Sequence, residues 1–181
     1  MKKQIFAVLI IALFLSSSYA LGQVNRSFKT GYRGSVELEG SAVKGKMSGG
    51  YEHPGDWFKL ATIHGYRLGS GVFLGAGFGY AFWVSEDMEF GSLFVDAKYN
   101  FKDTTASPFV EGRMGYSFCT NSRYETGGLF VNGAAGVDFG RFSVRLGYEY
   151  LPLQQLDRSS GGLSRSYFSI DRVFLSLSFN F

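Results

Sequence analysis

The chain carries few side chains suited to acid–base, nucleophilic or metal chemistry: two histidines and one cysteine in 181 residues. His53 sits in one polar stretch and Ser85, Glu86 and Asp87 sit in another, so a base, a hydroxyl and carboxylates are all present. A hydrolytic site would need them within hydrogen-bond reach of one another. Their spacing does not impose that, and such residues are ordinary occupants of exposed loops. His53, His64 and Cys119 stand on separate segments and give no recognisable metal-ligand spacing. "GAGFGY" at 75–80 has the glycines of a phosphate-binding loop, but it lies inside an alternating apolar stretch with no helix behind it, so it offers no helix N-terminus to an anion. The expectation is no catalytic residue, no metal and no cofactor.

Residues 1–20 read as a cleavable signal peptide. Lys2 and Lys3 form its charged start, residues 5–15 (IFAVLIIALFL) its apolar centre and residues 16–20 (SSSYA) its small-residue end, with cleavage as late as residue 22 also fitting the pattern. The apolar run is too short for a membrane-spanning helix, which needs about 20 residues. Without those two lysines the 18 basic residues fall to 16 against 15 acidic ones, a balance with no basic footprint for nucleic acid. Cys119 alone cannot make an intramolecular disulfide, so cystine staples do not hold this exported fold. Glycine is abundant (25), aromatics reach 18% and proline is scarce (3), which favours sheet over helix.

The recurring period after the leader is two. Alternation predicts eight strands, at 32–40, 57–67, 71–82, 91–101, 108–118, 128–139, 141–150 and 172–181. At roughly 9–12 residues each they exceed an average globular strand and match the about 9–11 residues that a tilted strand needs to cross a membrane. The connections at 41–56, 68–70, 83–90, 102–107, 119–127, 140 and 151–171 alternate long and short. Such alternation means that the two ends of the sheet meet different surroundings, as in barrels with short periplasmic turns and long extracellular loops.

The two faces of these strands differ in chemistry. One parity holds residues such as Val36, Leu74, Phe78, Leu93, Val131, Leu146 and Leu177 with no acidic, lysine or arginine side chain; its most polar members are Thr62 and His64. The other parity holds Arg33, Glu37, Glu39, Lys59, Arg67, Asp96, Lys98, Glu111, Arg113, Asp138, Arg145 and Glu149, six acids and six bases. A soluble barrel would turn the charged face to water, and a membrane barrel would turn it inward. An Arg or Lys facing lipid at the midplane costs about 2–4 kcal/mol, so a dozen such charges would exceed a whole folding free energy. Two aromatic sets favour the membrane arrangement: Tyr80, Tyr116, Phe118, Tyr148 and Tyr150 toward the long loops, and Tyr66, Tyr99, Phe101, Phe139, Phe142 and Phe181 toward the short turns. Gly75, Gly77, Gly79 and Ala81 on the inward parity suit a crowded interior. The expected fold is all-β, an eight-stranded antiparallel up-and-down transmembrane β-barrel spanning 28–181 and preceded by the signal peptide.

On these residues the chain resembles small eight-stranded outer-membrane barrels of the OmpA and OmpX type. Its last stretch, "RVFLSLSFNF", with Val173, Leu175, Leu177, Phe179 and Phe181 on one parity, resembles the C-terminal assembly signal of such proteins. The resemblance implies location in the outer membrane, contact with its lipid and lipopolysaccharide, and recognition of that last strand by the barrel-assembly machinery. Because the chain ends with the barrel, no peptidoglycan-binding domain is expected. The inward charges are expected to pair into a plug, with a narrow, porin-like conduit for small solutes as the alternative. The long polar loops point to a structural or surface-interaction role. A third reading, by likeness to barrel enzymes that modify lipid A, would use His53 and Ser85–Asp87 at the extracellular rim.

Overall fold

The computed structural model describes residues 30–41, 46–47, 57–83, 89–120, 125–159 and 162–181. The expected signal peptide lies outside them, as do His53 and Ser85, Glu86 and Asp87. The strands are β1 (Gly31–Ser41), β2 (Lys46–Met47), β3 (Trp57–Arg67), β4 (Val72–Trp83), β5 (Glu89–Asn100), β6 (Ala106–Cys119), β7 (Glu125–Phe139), β8 (Phe142–Ser159) and β9 (Gly162–Asn180). They form one sheet in the order β1-β3-β4-β5-β6-β7-β8-β9-β2, and β1 also pairs with β9. All pairings are antiparallel. The eight long strands therefore close a barrel, and β2 is a two-residue rider on β9.

Closure leaves the long strands no free edge at the level of the wall, which an isolated sheet in lipid could not tolerate. The seam runs from Ser35↔Asn180 to Gly40↔Leu175. It is extended by the last residue: Gly34 N–H donates to the Phe181 carbonyl at 3.0 Å, and Phe181 N–H donates to the Gly34 carbonyl at 2.9 Å. The short turns have local causes. Gly140 (φ 65°) takes the left-handed conformation that a two-residue link between Phe139 and Phe142 needs, and Gly71 (φ 85°) does the same after Leu68.

The sidedness is that of a membrane barrel. Leu93, Leu129, Leu146, Leu175 and Leu177 stand exposed on the outside, while Glu37, Glu39, Lys59, Arg113, Arg145 and Glu149 are buried inside. The outward aromatics gather toward both rims: Tyr116, Tyr148 and Tyr150 at one end, and Tyr66, Tyr99, Phe101, Phe139 and Phe181 at the other.

The last connection differs from the expected loop. Residues 151–171 are not a loop: β8 and β9 continue through them, paired from Leu151↔Ile170 to Ser159↔Gly162. The long segment is a hairpin that rises past the Tyr148 and Tyr150 girdle, so the alternation of loop length fails at this link while the difference between the two ends remains. Both parities of this stretch carry polar residues, so a two-residue period has nothing to record there.

Candidate functional site

The inward face is the one place where charged groups converge among the described residues. Glu37 and Glu39 come from β1, Lys59 and Arg67 from β3, Asp96 and Lys98 from β5, Glu111 and Arg113 from β6, Asp138 from β7, and Arg145 and Glu149 from β8. Alternation along each strand aims all of them into the lumen, and their separation in sequence is bridged only by closure of the barrel.

Two arginines tie the middle layer. Arg113 Nη1 and Nη2 donate to the Glu37 carboxylate at 2.9 and 2.8 Å, Arg113 Nε donates to Asp96 at 3.2 Å, and the same guanidinium pairs with Glu111. Arg145 donates to Glu39 at 2.6 Å and to Glu111 at 2.7 Å, and also pairs with Glu37. The planar, multi-donor guanidinium suits this task, because one Arg can hold carboxylates in several directions at once. In the wall order, β6 stands four strands from β1 by either route, so Arg113 and Glu37 meet across the full diameter.

Toward the extracellular end, Lys59 lies 3.7 Å from Glu39 and 3.4 Å from Glu149, and Arg172 also pairs with Glu149. Asn132 donates to Glu149 at 3.3 Å. Toward the periplasmic turns, Lys98 donates to Asp138 at 2.7 Å, Arg67 lies 3.9 Å from Asp138, and Asn100 and Ser143 donate to Asp138 at 2.7 and 2.6 Å. Arg33 is the exception among the expected charges: it is half-buried and makes no ion pair with another described residue. Arg172 takes its place in the balance, so the paired set is again six acids and six bases: Glu37, Glu39, Asp96, Glu111, Asp138 and Glu149 with Lys59, Arg67, Lys98, Arg113, Arg145 and Arg172.

Alternation of charge and grease does not reveal the inward aromatics. Trp57, Phe73, Phe90, Phe94, Phe109, Phe130 and Phe174 are buried in the lumen with the charges. Most of the lumen cations sit over a ring: Arg172 over Trp57 at 3.6 Å, Lys98 over Phe109 at 3.7 Å, Arg145 over Phe174 at 5.0 Å, Arg113 over Phe94 at 5.2 Å and Lys59 over Phe130 at 5.2 Å. A ring face gives a desolvated cation electrostatic partnership on the side where no carboxylate stands. The glycines of β4 make room for this layer. A Cβ on Gly77 would lie 2.6 Å from the Phe94 ring, and one on Gly79 would lie 2.9 Å from both Lys59 Cε and Ser92 Oγ.

Of the C-terminal residues, Val173, Leu175, Leu177 and Phe181 are exposed on the lipid side of β9 and its end, and Phe179 is half-buried against Phe142 at 5.5 Å. Among the described residues no group of His, Cys, Asp and Glu has the arrangement of a metal site. His64, on β3, faces outward near the periplasmic end, and the other catalytic candidates lie outside the described residues.

A scan against protein-family models found no match, and a search of curated proteins found none. The fold is similar to the crystal structure of Neisserial surface protein A (NspA), with a TM-score of 0.55 and 14% identity over 84% of this chain and 99% of that one. It is also similar to the solid-state NMR structure of outer membrane protein AlkL in lipid bilayers, with a TM-score of 0.51 and 13% identity over 91% of this chain and 95% of that one. At these identities the likeness is one of fold: the chain is a small eight-stranded barrel of the outer-membrane type, and its apolar belt seats it in that membrane.

Proposed function

We propose that this barrel is a non-catalytic outer-membrane protein with a surface-interaction role, its lumen plugged and its extracellular rim presented to partners. The observation that carries the reading is the β8–β9 hairpin, nine register pairs from Leu151↔Ile170 to Ser159↔Gly162 standing beyond the aromatic girdle. At about 3.4 Å per residue it reaches roughly 30 Å. An ordered, paired element has its backbone entropy spent before any partner arrives, so binding through it loses less freedom than binding through a flexible loop. The plug supports the same division of labour, because the Arg113–Glu37 pair crosses the interior where a conduit would have to run. The outward residues Val173, Leu175, Leu177, Phe179 and Phe181 present the alternating pattern that the barrel-assembly machinery reads.

Two measurements test this. Purified protein in planar bilayers is expected to show no steady open-channel steps; regular steps would replace the plug with a conduit. Cells displaying the wild-type barrel are expected to adhere to some member of a panel of immobilised glycans and matrix proteins, and cells displaying a hairpin-shortened barrel are expected to lose that adhesion. Equal adhesion by the two would overturn the surface role of the hairpin.

A further inference from the structure

Three outward residues at the periplasmic end stand apart from the apolar belt. His64 on β3 is exposed on the lipid-facing parity, and among the described residues it is the one imidazole, carboxylate, ammonium or guanidinium group on that parity between the two rims. An ionisable side chain facing lipid is costly enough that it marks a site. Its two ring nitrogens are both engaged by hydroxyls: Tyr32 Oη at 2.5 Å from Nδ1, and Thr62 Oγ1 at 2.9 Å from Nε2. Tyr32 comes from β1, whose register places it opposite Tyr66, and Thr62 is two residues before His64 on the same face of β3. The Tyr32 and His64 rings stack at 6.1 Å between centroids, and the Phe181 ring stands edge-on to His64 at 6.2 Å.

A neutral imidazole has one N–H and one bare nitrogen. One hydroxyl therefore donates to the bare nitrogen, the N–H donates to the oxygen of the other hydroxyl, and that second hydroxyl keeps a proton with no partner in the string. A doubly protonated ring donates from both nitrogens and leaves both hydroxyl protons over. In either form at least one O–H is available, and neither hydroxyl is bonded to any other described residue. Where the spare proton is on Tyr32, which is 61% exposed, it has access to whatever surrounds the barrel; where it is on Thr62, it lies half-buried on the same outward face.

Depth identifies the acceptor. His64 is three residues from the end of β3 at Arg67. With a rise of about 3.4 Å per residue and a strand tilt of about 40°, it lies roughly 8 Å above the periplasmic turn. The interfacial layer on each side of a bilayer is about 5–8 Å thick. The string therefore meets the inner margin of that layer, where the glycerol backbone joins its acyl chains and the acceptors on offer are ester carbonyl oxygens. We propose that Tyr32, His64 and Thr62 form a lipid-binding site that hydrogen-bonds the glycerol ester carbonyls of a phospholipid in the periplasmic leaflet. The flanking rings of Tyr66 and Phe181, exposed by 51% and 50%, border the site with apolar surface for the start of the acyl chains.

The test uses the full mature barrel reconstituted in vesicles of dimyristoyl phosphatidylcholine carrying 13C at the ester carbonyls, read by magic-angle-spinning NMR. A cross-peak from the Tyr32 or Thr62 hydroxyl proton to lipid carbonyl carbon is expected, and it should disappear in the Tyr32→Phe/Thr62→Val double variant. Vesicles of the ether-linked analogue, which has the same phosphate and no carbonyl, should give no lipid contact from these hydroxyls. A contact to lipid phosphorus that persists in the ether lipid would overturn the carbonyl assignment in favour of phosphate. Contacts only to water, or to a second copy of the chain, would overturn the lipid site. If the double variant fails to migrate as a folded barrel, the ester and ether comparison on the unaltered protein still separates these outcomes.

Discussion

Arg113 and Glu37 face each other from opposite walls of the barrel, 76 residues apart in sequence, and join through two parallel hydrogen bonds of 2.9 and 2.8 Å. The two sides of this pair have different reserves. Arg113 also holds Asp96 and Glu111, while Glu37 is shared with Arg145. Removing the arginine leaves carboxylates facing one another in a buried space, and removing the carboxylate leaves an arginine that still has acidic partners.

Arg113→Met is therefore expected to destabilise the barrel by about 3–5 kcal/mol, the range for stripping one partner from a buried ion pair. Glu37→Gln keeps an acceptor for both arginines and is expected to cost about 1–3 kcal/mol. Urea unfolding of detergent-solubilised protein, followed by loss of heat-modifiable gel migration, measures both. A smaller loss for Arg113→Met than for Glu37→Gln would show that the lumen charges are not organised around this arginine.

Glycines on the two faces should answer to substitution in opposite ways. A Cβ at Gly77, on the inward face, would lie 2.6 Å from Phe94 Cζ and 2.7 Å from the Thr62 carbonyl oxygen, and the backbone oxygen cannot step aside. Gly77→Ala is expected to cost about 1–3 kcal/mol through overpacking. A Cβ at Gly133 meets nothing within 4 Å because it points to lipid, so Gly133→Ala should change stability by less than about 0.5 kcal/mol. Unfolding midpoints of the two variants, measured side by side, decide the matter, and equal effects would contradict the assignment of faces.

Of the chain's two histidines, His53 is the one that the expected lipid A-modifying site would use as its base, so a base-assisted reaction of that kind would depend on it. Cells expressing His53→Ala should show the same lipid A mass spectrum as cells expressing the unaltered protein, and both should match cells without the barrel. A lipid A species that appears only with the unaltered protein would establish an enzyme.

Much of the wall was legible because lipid on one side and a crowded interior on the other force a two-residue period. β3 runs from Trp57 to Arg67, as its alternation predicts, and the parity that holds Glu37, Asp96, Arg113 and Arg145 is the buried one. Legibility ended where that contrast ended. Above the girdle both parities of β8 and β9 carry polar residues, so residues 151–159 and 162–170 read as loop, although a Ser- and Gly-rich run at 159–162 is the kind of sequence that separates a hairpin's strands. Arg172 escapes notice in the sequence because the expected strand begins on it; two residues before the inward Phe174, it shares that parity. Which carboxylate meets which arginine could not be read at all. Glu37 lies 76 residues from Arg113 and 108 from Arg145, and only the circumference of a closed wall brings them together.

The hairpin offers the cleanest separation of fold from function. Pro152 and Ser169 are register partners just above Leu151↔Ile170, so residues 153–168 can be replaced by an Asn-Gly turn that joins the two strands at their existing spacing. The ion pairs of Glu149 with Lys59 and Arg172 lie below the cut, and so does the seam between β1 and β9. The shortened protein is therefore expected to keep its heat-modifiable migration and a urea midpoint close to that of the full chain, because the ion pairs and ring contacts found in the lumen among the described residues remain. Adhesion should fall to the level of cells lacking the barrel. If stability instead drops on the scale of the Arg113→Met loss, the hairpin is part of the structural core and its length needs no partner to explain it.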